Sequence, residues 1–321
     1  MFSPRVLLQA SLGRVLEQVT VFAPGTVGNV GAGFDVLGLA LEAIGDVVHA
    51  RRVQRSKGVR LLRIEGADLP LSADNTAVVA ARGALELVEA DFGVELVLDK
   101  GLPIGSGLGS SGAAAAAAAT AVNLLAGSPL APERLVAVCA EAERVASGAP
   151  HTDNVAPALL GGVVLQGPCG RSIRIETELD LGIALVTPVQ PLETRRARQA
   201  IPRDISLESA IFNSSMLATL VYALASNDVG LLRGSVQDRI AEPHRAPLIA
   251  GFSEAKRAAL AAGALGASIS GSGPTIFALC DDLERASTVH KAMSAALHAL
   301  DVAHVPRTSG IDRRGAHPLP V

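Results

Sequence analysis

The segment PIGSGLGSSG (Pro103, Ile104, Gly105, Ser106, Gly107, Leu108, Gly109, Ser110, Ser111, Gly112) is the stretch most able to do chemistry, and seven alanines follow it at 113–119. Glycine lets a backbone approach a ligand closely and aim several N–H groups inward. A helix starting near Ser110 adds the positive end of its dipole, so the target is an anion, above all a phosphate. Ser110 and Ser111 offer hydroxyls to a phosphate oxygen or a Mg2+ ion. Gly109 is expected to keep side-chain volume out of the space a phosphate would take. The alternative is a tight strand-to-helix turn that needs glycine for geometry alone. Gly107, Gly109 and Gly112 satisfy G-x-G-x-x-G, but Asp99, Lys100 and Pro103 intervene after the strand, and no later strand ends in the acid that a dinucleotide site needs. No Lys follows the glycines, which excludes a Walker loop, and the H-R-D and D-F-G motifs of protein kinases are missing.

Such a loop has to be held by regular elements. VELVLD (94–99) reads as the strand before it and the alanines as the helix after it, firm because alanine has no side-chain entropy to lose. Upstream, RVLEQVTVFA, FDVLGLAL, GDVVHARRV and VRLLRIEG read as separate strands between Gly and Pro turns, with a helix after Asp74. Downstream come a helix from Pro132, strands at GGVVLQ, RSIRIET and GIALVTPV, helices near 206–226 and 249–262, a strand pair around GASISGSGPTIFAL, a helix from about 283 and a last strand. Strands and helices mix without strict alternation, which predicts α+β architecture. The expected division is 1–165 and 166–321, with a loose polar tail from about 307.

Composition narrows the partners. Of 321 residues, 49% are hydrophobic and 18% charged, enough for a sizeable core. Aromatics at 2%, a net charge of −3 and the lack of a long basic run speak against a nucleic-acid partner. Cys139, Cys169 and Cys280 are too scattered for a zinc site or a disulfide framework and fit a reducing, cytoplasmic setting. Neither a signal peptide nor a stretch of ~20 apolar residues is read, so no membrane partner is expected.

Two further glycine loops, APGTVGNVGAGFDVLGLAL (23–41) and GASISGSGPTIFAL (266–279), imply several backbones converging on one ligand. P-x-x-x-G-L-G-S-S resembles the phosphate loop of the GHMP small-molecule kinases, and the other two loops resemble that superfamily's remaining motifs in the right order. Within it, the first loop, HTDNVAPALLGGVVL (151–165), ETRRARQAIP (193–202) and DRIAEPHRAPLI (238–249) are most similar to homoserine kinases. The likeness covers about residues 20–280, leaving the first fourteen outside.

The resemblance implies a two-domain fold, with an N-terminal ATP-binding domain like domain 2 of ribosomal protein S5 and a ferredoxin-like C-terminal domain. It implies ATP-dependent phosphorylation of L-homoserine in threonine biosynthesis, with ATP and Mg2+ as cofactors and homodimerisation left open. Glu143 and Ser111 would hold the Mg2+. At about 100° per residue, Leu135, Val138, Cys139, Ala142 and Ala146 form an apolar stripe with Glu143 at its rim, whereas Glu141 and Arg144 point away. Arg198 and Arg245 would grip the amino-acid carboxylate bidentately. Asn29, Asp35, His151, Asp153 and Asn154 match the family's substrate side, although Asn29 also reads as a left-handed turn residue and Asp153 or Asn154 as a helix cap. Thr194 would lie near the transferred phosphoryl group, and Asn75 would touch the nucleotide or cap a helix. Some relatives carry Asp at the position of Asn154; an amide cannot take a proton, so no dedicated base is expected. The competing readings are a mevalonate-type or isoprenoid-precursor acceptor on the same fold, or a metabolite sensor without chemistry.

Overall fold

The computed structural model describes residues 16–54, 56–190, 192 and 194–320. The first sheet contains β1 (Gln18–Val27), β2 (Leu37–Val53), β3 (Gly58–Glu65) and β4 (Gly93–Asp99), with α1 (Thr76–Leu87) crossing between the last two, which run parallel. α2 (Ser110–Leu125), α3 (Val136–Ser147) and α4 (Thr152–Leu160) follow, and β5 (Val163–Gln166) and β6 (Ser172–Ile175) extend the sheet from β2. The second half holds β7 (Gly182–Pro188), α5 (Thr194–Gln199), α6 (Leu207–Ser226), α7 (Val229–Leu232), α8 (Glu242–Arg245), α9 (Phe252–Ala261), β8 (Gly266–Ile269), β9 (Ile276–Cys280), α10 (Leu283–His298), β10 (His304–Ser309) and β11 (His317–Pro318). Its antiparallel sheet has the order β10-β7-β9-β8, and Ala255, Ala259, Val289, Met293 and Leu297 of α9 and α10 share a core with it. The architecture is the two-domain mixed α/β fold that the pattern predicts.

α2 explains its own composition. It touches β1 and β2 on one side and α1, α3 and α4 on the others. Ala113 through Ala119 are each at most 2% exposed, so the helix is enclosed all round and any larger side chain would push the layers apart. Small side chains therefore let the body of α2 sit between a sheet and three helices, with its first turn, Ser110 and Ser111, half-buried where the glycine loop ends.

Three expectations are corrected. FDVLGLAL and GDVVHARRV are one strand, β2, bent at Ala43 (φ 55). Gly45, taken for a turn, lies inside it, where a Cβ would collide with the Ala23 carbonyl on β1. The division at 165/166 falls inside the β5–β6 hairpin, because β6 pairs with β5 and β5 with β2; both belong to the first sheet. The tail is ordered: β10 lies in the second sheet, β11 pairs with β1, and Arg313 donates to the carbonyls of Thr177 (2.5 Å) and Leu179 (2.9 Å). Backbone pairing, invisible in a polar Pro-containing stretch, ties the C-terminus across both sheets. α6, with 20 residues and a mean hydropathy of 1.3, does reach the length and apolarity of a membrane span, and it seats Leu220, Ala223 and Leu224 in the protein.

Replacing Ala116 with Leu should lower stability by about 1–3 kcal/mol through overpacking, read as a lower urea midpoint at unchanged slope.

Candidate active site

β4 delivers the chain into a loop whose Gly105, Gly107 and Gly109 have φ of 66°, 79° and 67°. These left-handed values suit glycine and curl the backbone into a concave strip of amides. The carbonyl of Ser106 accepts from the Thr275 N–H (3.1 Å), that of Gly107 from the Ser270 hydroxyl (2.7 Å) and that of Leu108 from the Thr26 N–H (2.9 Å). Because a peptide is planar and trans, fixing those carbonyls aims the N–H groups of Gly107 and Gly109 the opposite way, while the Leu108 N–H is taken by the Ser106 hydroxyl (3.4 Å). The loop and the start of α2 line a cleft of about 590 Å³. The helix dipole and the loop amides make that end of the cleft a seat for an anion.

Glu143 lies on the same cleft, 4% exposed, while Glu141 is exposed and ion-paired with Arg144. Helical periodicity thus separates the two acids as expected. Burial pushes the Glu143 carboxyl up, countered by a hydrogen bond from Ser111 and the charge of Lys100. The Ser110 hydroxyl is buried without a partner among the described residues. A buried carboxylate bonded to a hydroxyl beside a phosphate seat is a donor pair that fits a hard divalent cation.

Lys100 and Asp46 were not expected. Both are almost fully buried and form an ion pair. Lys100 also donates to the Ser110 carbonyl (3.0 Å), and the other Asp46 oxygen accepts the N–H groups of Gly101 (3.0 Å) and Leu102 (3.1 Å). Burial raises the Asp46 carboxyl and lowers the Lys100 ammonium. The pair clamps both flanks of the loop. In sequence each is a lone charge, and lone charges default to the surface.

The other end of the cleft gathers the remaining candidates. His151, Asp153 and Asn154 stand at the start of α4, which approaches β2 so closely that a Cβ on Gly38 would collide with the Asp153 carbonyl. Asp153 is 1% exposed, and burial, then the charge of Asp35, push its carboxyl up to about 7. Burial lowers the His151 imidazole, with Asp35 opposing. Ligand atoms of Asp35, His151 and Asp153 lie within 4.8 Å of one another, a cluster suited to a cation. Asn154 Oδ1 accepts the Thr26 hydroxyl (2.9 Å). Arg245 is 3% exposed and donates to the carbonyls of Ala197 (3.3 Å) and Gly271 (2.8 Å). Arg198, on α5, donates to both oxygens of Asp35, at 3.2 and 2.5 Å.

Some expected ligands have structural work. Asn29 (φ 55) donates from its backbone to Asp153 (3.1 Å) and from its side chain to the Gly271 carbonyl (2.9 Å), and accepts the Asp35 N–H (2.7 Å). It lines the cleft but spends its polar groups on holding neighbours. Asn75 both lines the cleft and caps α1 through the Ala77 N–H (3.0 Å). Leu108 is fully buried in the core, and Gly112 packs against Asn154 and Val155. Thr194 opens α5. A Cβ on Gly109 would strike the Thr26 hydroxyl and crowd Asn154, so what this glycine keeps clear is the packing of Thr26 against Asn154.

Known proteins resemble this chain over most of its length. The model of the GHMP kinases N terminal domain matches residues 75–162, and that of the GHMP kinases C terminal domain matches 220–299. A homoserine kinase of Xanthomonas campestris pv. campestris (strain B100) is 41% identical over 286 residues, 88% of each chain. One from Chloroherpeton thalassium is 42% identical over 292 residues, covering 87% of this chain and 92% of its own. A crystal structure of homoserine kinase from Cytophaga hutchinsonii superposes with a TM-score of 0.91 at 38% identity, over 96% of this chain and 99% of that one.

Gly109→Ala should weaken ADP binding about tenfold in titration calorimetry, since forcing the left-handed φ costs ~1–2 kcal/mol before the Thr26 clash is counted. Gly127→Ala, also at positive φ but in open space, should leave it unchanged.

Proposed function

We infer the working of the cleft from one premise: this chain belongs to the homoserine kinases of the GHMP kinase family. Its activity is phosphoryl transfer from ATP to the hydroxyl of L-homoserine, a step of threonine biosynthesis. The observation that carries the assignment of residues is that one cleft joins an amide-lined anion seat to a pair of arginines beside two buried or half-buried acids.

The triphosphate of ATP lies along Gly105–Ser111, with the base against the aliphatic wall of Leu69, Pro70, Ile104 and Val145. Glu143 and Ser111 are the residues that would hold Mg2+, which when bound neutralises charge on the phosphate oxygens. Arg245, immobilised by two backbone carbonyls, takes the substrate carboxylate together with Arg198. Asp35 and Asp153 receive the ammonium. A mevalonate-type acceptor would satisfy the arginines and leave both acids without a cation, which favours the amino acid.

Asn154 stands where the substrate hydroxyl must meet the γ-phosphate. Thr26 holds its amide oxygen, so its NH2 group is free to orient the hydroxyl but not to deprotonate it. Catalysis is then mainly alignment and charge stabilisation. A loose phosphoryl-transfer transition state demands little early proton removal, and the proton leaves through the phosphate.

A coupled ADP-release assay should give turnover with L-homoserine well above that with mevalonate, threonine, serine or buffer; preference for mevalonate would overturn the substrate assignment. Glu143→Gln should cut Mg2+-dependent kcat by about a hundredfold or more, while Glu141→Gln, altering only a solvated pair, stays near wild type.

A further inference from the structure

The ion pair between Asp35 and Arg198 joins two residues assigned to opposite ends of the same substrate. We propose that this pair is an exchange latch that makes the site selective for zwitterions: a ligand enters by replacing both partners at once, its carboxylate taking Arg198 and its ammonium taking Asp35. The proposal rests on the homoserine reading and adds how half-matching ligands are refused.

The geometry carries it. Both Asp35 oxygens are engaged, at 2.5 and 3.2 Å, by the two terminal nitrogens of one guanidinium. Asp35 comes from the first glycine loop and Arg198 from α5, so the pair bridges the two halves of the chain across the cleft that both line. Phe34 lies beside the guanidinium groups of both Arg198 (5.5 Å) and Arg245 (5.2 Å), which holds them side by side. The arginines differ in one respect. Arg245 is buried and tied to backbone carbonyls, so it is a fixed anchor; Arg198 is 41% exposed and tied to a carboxylate, so it is the one that must let go.

Charge balance then sets the selectivity. A ligand with a carboxylate alone must pull Arg198 from Asp35 and leave that carboxylate facing Asp153 and His151, whose ligand atoms lie within 4.8 Å, with a new anion alongside. A ligand with an ammonium alone leaves Arg198 beside Arg245 without its counter-charge. A zwitterion replaces each broken contact with an equivalent one, and net charge in the cleft is unchanged. Such refusal by leaving a charged group unpaired is a general route to specificity.

The test uses three probes: L-homoserine, 4-hydroxybutanoate, which lacks the ammonium, and 3-aminopropan-1-ol, which lacks the carboxylate. Inhibition or Michaelis constants are measured on the wild-type chain and on Asp35→Asn. The variant should weaken L-homoserine and tighten 4-hydroxybutanoate by about three- to tenfold, opposite changes that general damage to the site does not produce. The reverse variant, Arg198→Gln, should tighten 3-aminopropan-1-ol instead. On the wild-type chain, methylammonium should tighten 4-hydroxybutanoate while sodium at equal ionic strength does not, a readout that needs no substitution. Unchanged or weaker 4-hydroxybutanoate binding in Asp35→Asn, or no methylammonium effect, overturns the latch. Wild-type turnover of 4-hydroxybutanoate as good as that of homoserine overturns the homoserine reading itself.

Discussion

Backbone packed directly on backbone is the constraint on which this active site rests. A Cβ on Gly107 would collide with the carbonyls of Ser270 and Gly273, and one on Gly271 would sit 3.1 Å from the Gly107 oxygen. With no side chain between them, the phosphate loop and the β8–β9 loop come close enough for the Ser270 hydroxyl and the Thr275 N–H to take the carbonyls of Gly107 and Ser106. The Gly271 N–H reaches the Gly28 carbonyl in the first loop (2.9 Å), and the Gly271 carbonyl receives both Asn29 and Arg245. Three loops far apart in sequence become one body through main-chain contacts. The donors that face the cleft are aimed because the acceptors behind them are taken.

A second consequence concerns buried charge. The flanks of the loop that leads to α2 are buried, so the amides of Gly101 and Leu102 need partners within the protein. The Asp46–Lys100 pair serves that end: one oxygen of Asp46 holds the Gly101 and Leu102 N–H groups, and Lys100 holds the Ser110 carbonyl. A buried ion pair is a poor source of net stability, because desolvation consumes most of the attraction. Its value here is geometric, fixing where the loop begins and ends while keeping a positive charge near Glu143.

What the sequence made legible follows from where the physics is local. The anion seat was readable because glycine, serine and alanine act through their own backbone and helix start. The contrast between Glu143 and Glu141 was readable because helical periodicity is fixed at 3.6 residues per turn. The unbroken course of β2 was hidden, since Gly45 signals a turn and only contact with Ala23 shows why a glycine belongs inside a strand. The ordered C-terminus was hidden for a similar reason: β11 exists through pairing with β1, and nothing within His317–Pro318 announces it. Asn29 lines the cleft, but its bridging of Asp153, Asp35 and Gly271 was hidden, because the left-handed φ that allows it is a property of the assembled loops.

The perturbed groups near Asn154 invite a different mechanism, and their surroundings argue against it. Asp153, raised to about 7, has the proton affinity expected of a general base near neutrality, whereas burial lowers the neighbouring His151 imidazole. Yet Asp153 is 1% exposed, with one oxygen fixed by the Asn29 N–H, and its proton affinity rises from burial and from the negative charge of Asp35. Those causes suit a site for a cation: an ammonium placed between Asp35 and Asp153 would offset both of them and favour the ionised form of Asp153. A group committed to that role has no capacity left to accept a hydroxyl proton. The same burial that makes Asp153 look like a base therefore fits it to the ammonium site proposed above, and in that reading the hydroxyl is left to the Asn154 amide for alignment.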